Sequence, residues 1–232
     1  MPETESLPLP VDQGPAPVRK RPKPGERRVQ ILQTLAVMLE QPGSERITTA
    51  SLAAKLDVSE AALYRHFASK AQMFEGLIEF IEQSVFTLIN QITSTGPLDA
   101  ASDASEPKPD DENAIVDPSV GRRQAQRILT MLLQFAEKNP GMTRVMVGDA
   151  LVFENERLQL RMNQFFDKIE ASLRQCLRQP AGVNGSATPS VDAQVRASML
   201  TSFVLGRLQR FARSGFKRWP TEHLEASLAL LI

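Results

Sequence analysis

From Thr48 to Phe74 the chain reads TTASLAAKLDVSEAALYRHFASKAQMF, and this stretch constrains the fold more than any other. Leu52, Ala53 and Leu56 fall at helical spacing, and Ala62, Leu63 and Phe67 do so again after the pair Asp57-Val58. Two helices joined by so short a turn must cross with their inner faces pressed together. Ala50, Ala53 and Ala54 are small enough to allow the close approach. Ser69 then opens a third helix as an N-cap, with Gln72 placed as in a capping box. Such a unit is a helix-turn-helix, in which the first residues of the second helix meet base edges in a major groove.

Helical periodicity continues on both sides. Val29, Leu32, Ala36 and Leu39 recur at helical spacing, as do Ile31, Leu35 and Met38, which predicts a helix from Arg27 to Glu40. After Ser69 the stripe Met73, Leu77, Phe80, Ile81, Ser84, Val85, Leu88 and Ile92 predicts a helix to about Thr93. Further helices are expected over Gly121 to Lys138, Met142 to Ala150 and Phe153 to Gln179. Ser190 and Thr221 are expected to cap the last two. No segment sustains a two-residue alternation, so the expected class is all-α without a strand. Three units follow. Residues 1–24 are proline-rich and read as a disordered basic arm. Residues 25–68 form the helix-turn-helix domain, and 69–232 a helical dimerisation and partner-binding domain. A disordered acidic insertion is expected at about 95–120.

The formal net charge is zero, but the charges are segregated. Arg19, Lys20, Arg21, Lys23, Arg27 and Arg28 stand against Glu26 alone. Asp99, Asp103, Glu106, Asp110, Asp111, Glu112 and Asp117 stand against Lys108 alone. Local charge, not the total, sets the field that a phosphate backbone meets. One cysteine, Cys176, excludes an internal disulfide and is expected to be an inert core residue; with two separated histidines it makes no zinc set. No apolar run reaches the ~18 residues of a membrane span, and no secretory leader is legible, so a cytoplasmic setting is expected. There is no glycine-rich phosphate loop and no clustered Ser/His/Asp set, so neither catalysis nor a cofactor is expected.

Ser59, Glu60 and Ala61 occupy the base-reading positions. A serine hydroxyl pairs with several bases, a glutamate accepts from the cytosine amino group, and an alanine methyl touches the thymine methyl. Groups suited to phosphate surround them: Thr48 and Thr49 at a helix N-terminus, the Tyr64 hydroxyl, Arg65 or His66, and Lys70. The arm ending in Arg27 and Arg28 is placed to reach an adjacent minor groove or to follow phosphates. Backbone contacts are expected to supply much of the affinity, which should fall steeply with salt. Plainer roles stay open: His66 packed beside Phe67, Glu60 as a charge favoured by the helix dipole, and the arm as a solvated tail.

The block LAAKLDVSEAALYRHFASK, followed by an all-helical remainder, resembles the TetR family of bacterial regulators. ITTASLAAKLDVSEAALYRHF, LIEFIEQS, FAEKNPGMTRVM and RMNQFFDKIEASLRQCLR are more narrowly similar to the branch of that family acting in nucleoid occlusion. The resemblance implies a nucleoid-associated homodimer bound to palindromic sites in double-stranded DNA. It also implies that the DNA-bound dimer antagonises the tubulin-like division protein FtsZ and keeps septa from assembling over the nucleoid. Thr48, Thr49, Ser59, Ala61, Tyr64, His66 and Lys70 fall where the family touches DNA. An FtsZ-tail groove is implied beside the fourth helix and the end of the fifth, with Phe80, Lys138 and Asn139 as candidate contacts. The last two helices, carrying Leu200, Phe203, Val204, Leu208 and Phe211, are expected to pair with their twofold mates. Asp57 stands where the family usually has glycine, and Ala68 where it usually has proline; aspartate tolerates a left-handed turn. The alternative is a ligand-sensing TetR-type repressor, which needs an apolar cavity with a few polar groups. The carboxy-terminal helices offer Leu, Met and Phe with few polar partners, so a filled core is expected.

Overall fold

The computed structural model describes residues 25–41, 47–94, 118–178 and 187–232. Among the described residues every regular element is helical and there is no strand, as expected. Helices α1 (Glu26–Leu39), α2 (Thr49–Leu56) and α3 (Glu60–Tyr64) form an amino-terminal head. α4 (Lys70–Ser94) runs from the head into a body built of α5 (Pro118–Lys138), α6 (Pro140–Met146), α7 (Glu156–Leu177), α8 (Pro189–Arg213) and α9 (Leu224–Leu231). The basic segment at 19–24 and the acidic run at 99–117 lie outside the described residues. The expected insertion is shorter than its assigned 95–120, because α5 already begins at Pro118. Proline suits that first helical position, where no amide partner is lost.

One apolar core joins head and body. Ile31, Leu35 and Leu39 of α1, Leu52 and Ala53 of α2, and Leu63 and Phe67 pack with Met73, Phe74 and Leu77 of α4. Ala50 and Ala54 stay exposed, so Ala53 alone supplies the close helix approach. Farther along, Ile81, Val85 and Ile89 of α4 join Ile128, Leu132 and Leu133 of α5 and Phe165, Ile169 and Leu173 of α7. Phe86, Phe165 and Phe166 meet edge to face. An ion pair between Arg161 and Glu82, at 2.6 Å, ties α7 to α4, and the Glu82 carboxylate holds the guanidinium above its ordinary value.

Several expected boundaries move. α6 ends at Met146, and a separate 3-10 turn covers Asp149–Leu151 after Gly148 at φ 83°. Asn155, not Phe153, opens α7 by accepting from the Arg157 amide at 2.9 Å. Thr188 stands at the N-cap of α8 in place of Ser190, because Pro189 and Ser190 are already helical. His223 in the left-handed region precedes α9, while the Thr221 hydroxyl donates to Glu137 instead of capping.

Two glycines mark backbone-to-backbone seats. A Cβ on Gly141 would lie 1.9 Å from the Ala36 carbonyl oxygen, and one on Gly121 would lie 1.9 Å from that of Cys176. α6 therefore rests directly on α1, and the start of α5 on the end of α7. Burial pushes the half-buried Cys176 thiol above its ordinary value, so it carries little thiolate at neutral pH.

Gly141→Ala must part α1 from α6 and is expected to destabilise by roughly 1–3 kcal/mol. Thermal melting followed by circular dichroism checks this; an unchanged midpoint would mean that the seat yields freely. Cys176 is expected to react with iodoacetamide far more slowly in the folded protein than in denaturant, as counted by mass spectrometry.

Candidate nucleic-acid interface

Local chemistry shapes the head before any packing does. Thr48 caps α2 by accepting from the Ser51 amide at 3.1 Å, and Ser51 Oγ accepts from the Thr48 amide at 3.1 Å. This reciprocal pair is a capping box with serine in the usual glutamate place. At the other end Asp57 adopts φ 56°, ψ 49°, and the Val58 amide reaches back to the Ala53 carbonyl at 3.0 Å. That is the Schellman arrangement, so aspartate takes the left-handed place where the family usually has glycine. Ser59 caps α3 by accepting from the Ala62 amide at 3.3 Å. Ser69 accepts from the Gln72 amide at 3.2 Å, and the Gln72 side chain accepts from Ala68 at 2.8 Å. Ala68 thus uses an amide that the family's usual proline would not have.

These caps turn one edge of α3 outward. Ser59, Glu60, Ala61, Tyr64, Arg65 and His66 are all exposed, Tyr64 to 47%, while Leu63 and Phe67 are buried. His66 therefore does not pack inward beside Phe67. Thr48 and Thr49 bring the amino end of α2 to the same side: Tyr64 Oη lies 3.5 Å from Thr49 Oγ1, which itself donates to Glu60 Oε2 at 2.6 Å.

Three cations expected to meet DNA already have partners within the chain. Arg27 donates to Gln30 on its own helix at 2.8 Å. Arg28 is part of the folded head rather than of a free arm: it lies 4.2 Å over the Phe67 ring and donates to the His66 carbonyl at 3.1 Å. Lys70 pairs with Glu154 of the body at 2.5 Å, so a phosphate there must share or displace a resident carboxylate. Glu154 lies 84 residues further along the chain from Lys70, and no local sequence signal could have paired them.

A second surface lies on the body. Gln124 Nε2 donates to the Thr93 carbonyl at 3.2 Å, setting α4 and α5 side by side in opposite directions. Followed back from 93 on one helix and on from 124 on the other, that register brings Phe80 level with 137 and 138. Phe80 is 47% exposed and Leu88 is also exposed, so neither belongs to the buried stripe of α4. Arg127, Gln134 and Lys138 are exposed along α5. Asn139 is otherwise engaged: its side chain donates at 2.7 Å to the Phe135 carbonyl, which is left over where Pro140 starts a new helix.

The expected pairing residues of α8 need correction. Leu200, Val204, Leu208 and Phe211 are at most 2% exposed within the single chain, and Arg207 covers half-buried Phe203. The side chains of Leu200, Val204, Leu208 and Phe211 fill the protomer's own core, and Phe203 alone of the five keeps a partly open face. Val191, Val195 and Met199 form the outward apolar stripe of that helix, and Leu230 of α9 is also exposed. Helical periodicity finds apolar faces, but α8 has two, and sequence does not rank them.

Glu154, with its side chain 9% exposed, depends on Lys70 for its charge partner. Lys70→Ala should therefore destabilise by roughly 1–3 kcal/mol, while Lys70→Ala combined with Glu154→Gln should recover much of that loss. Chemical denaturation of the four proteins measures the coupling; strictly additive effects would show the pair to be a surface accident.

With this geometry in place, comparison with known proteins is informative. Residues 31–77 match the family described as bacterial regulatory proteins, tetR family, and residues 122–232 match the SlmA-like tetracyclin repressor-like C-terminal domain. A nucleoid occlusion factor SlmA from Vibrio vulnificus is 49% identical over 210 residues, covering 90% of this chain and 95% of the relative. One from Idiomarina loihiensis is 48% identical over 200 residues, covering 86% and 90%. A TetR-family transcriptional regulator from Rhodococcus superposes with a TM-score of 0.62 over 89% of this chain and 98% of its own; at 19% identity this speaks for the fold alone. The chain belongs to the TetR family, within the group of the SlmA nucleoid occlusion factors.

Proposed function

We propose that a homodimer of this chain binds palindromic sites in double-stranded DNA across the nucleoid and, while bound, prevents FtsZ from assembling a septum there. The observation that carries the reading is the 49% identity to a nucleoid occlusion factor across 90% of the chain, head and body together. The exposed edge of Thr48, Ser59, Ala61 and Tyr64 supports the DNA step. Twofold pairing through Val191, Val195 and Met199 would bury the apolar stripe and set two recognition helices about 34–36 Å apart, one per successive major groove. Exposed Phe80 and Leu88 on α4, with exposed Arg127 and Lys138 on the neighbouring α5, suit a peptide that carries both apolar and acidic residues, which supports this surface for the FtsZ tail. The setting is the cytoplasm, on the chromosome.

The sensor-repressor reading finds less support. Thr143 and Thr201 are the buried polar residues among the described ones, and each donates to a backbone carbonyl. No buried side-chain nitrogen or oxygen among the described residues lacks a partner. Nothing in that interior is left to orient a small ligand. Two hollows among the described residues are open clefts, one of about 600 Å³ lined by Gly148, Asn163, Asp167 and Arg213.

Genome-wide mapping of bound sites tests the whole reading: sites scattered along the chromosome but depleted near the terminus are expected, whereas one or two promoters would favour a repressor. Met199→Glu should convert the dimer to monomer in sedimentation and weaken palindrome binding by more than tenfold. Phe80→Ala should lose binding to an FtsZ tail peptide while leaving DNA affinity unchanged.

A further inference from the structure

We propose that Glu60 sets the sequence preference of the head by repulsion. Its carboxylate opposes every phosphate backbone and is compensated only where a base edge offers it a donor. The inference rests on the DNA-binding reading above and concerns how that site discriminates.

Glu60 is the first residue of α3, exposed at the end that enters the groove. Among the described residues it has no cationic partner; its contact is the Thr49 hydroxyl at 2.6 Å. Tyr64 Oη approaches the same Thr49 oxygen at 3.5 Å. Two hydroxyls suited to phosphate are thus gathered around an anion. The Thr49 hydrogen is committed to Glu60, so a phosphate arriving here meets oxygen lone pairs and a negative charge. A partly screened unit charge at contact distance from phosphate lowers affinity by roughly tenfold.

Helix formation does not require this charge. Ser59 already supplies the cap of α3, and a neutral residue at the next position would leave that cap intact. What a carboxylate adds is selectivity. In the major groove a cytosine amino group donates to it, whereas the acceptor edge of guanine or thymine meets it with like polarity. A penalty on all duplexes, relieved on a few, widens the gap between chosen and random DNA without raising the best affinity.

Glu60→Gln keeps an oxygen for the Thr49 hydroxyl and removes the charge; Glu60→Ala removes both. Dissociation constants are to be measured for wild type and both variants across a salt series. The probes are a duplex from the most strongly bound chromosomal region and a scrambled duplex of equal length and composition. Glu60→Gln is expected to bind the scrambled duplex roughly tenfold tighter and the selected duplex no tighter, so the ratio narrows by that factor. Glu60→Ala should match it on scrambled DNA and fall below it on the selected duplex, because Thr49 is no longer positioned. Equal changes on both duplexes, or none on either, would overturn the inference, with circular dichroism confirming that the variants are folded. Wild type that fails to prefer the selected duplex would instead strike the DNA-binding reading itself.

Discussion

The seat of the head on the body governs everything the protein can do with DNA. If two recognition helices are to match successive grooves as proposed, they tolerate little rotation, and each head must be held rigidly. Three features hold it. Phe67, Met73, Phe74 and Leu77 share one core across the junction, so α4 leaves the head without a hinge. Gly141 lets α6 rest against the Ala36 carbonyl of α1, and Arg144 donates to the Gln41 carbonyl at 3.2 Å beside it. Lys70 and Glu154 add a charged tie on the side nearest the recognition helix. Packed interiors move as blocks rather than bending, so the orientation of the head is set by the body.

The polar groups of the reading face serve twice. Thr48 and Ser59 accept from amides as caps, yet each hydroxyl keeps its hydrogen for a phosphate or a base. Capping and the proposed DNA contact are compatible there, and losing either residue costs helix stability whatever it does to recognition. Thr49 and Lys70 differ. Each already donates to a carboxylate, so binding at these positions exchanges one partner for another and nets less than a new contact. Unequal value among these side chains follows from whether the fold already uses the acceptor or the donor side of the group.

Local order was legible in the sequence, and distant pairing was not. The head could be read almost residue by residue: the turn at Asp57-Val58, the Ser59 cap, the outward edge through Tyr64 and the inward Leu63 and Phe67 all follow from caps and periodicity. The body yielded its helices but not their facing. Phe80 and Leu88 share a helical stripe with Met73 and Leu77, yet a straight helix touching several neighbours turns different parts of that stripe to core and to solvent. α8 has an apolar face on each side, and the richer one went inward. The sequence leaves Arg28 at the end of a basic arm, because nothing local announces that Phe67, a distant residue, receives its guanidinium. Thr221 looked like a cap, but Glu137 on another helix claimed its hydroxyl.

Distance limits how DNA could influence the groove on the body. Lys70 and Phe80 are separated by about 15 Å along one helix, too far for any group to touch both partners. The direct link between them is α4 itself. That helix is pinned near its middle, where Arg161 holds Glu82 at 2.6 Å, two residues beyond Phe80. A phosphate that competes with Glu154 would act at the Lys70 end of the same rigid element that carries Phe80. If the groove takes the FtsZ tail as proposed, the linkage runs both ways, and the tail must raise DNA affinity by the factor that DNA raises tail affinity. Unlinking Lys70 from Glu154 removes the competition, so such a protein should hold its groove in one state whether or not DNA is present.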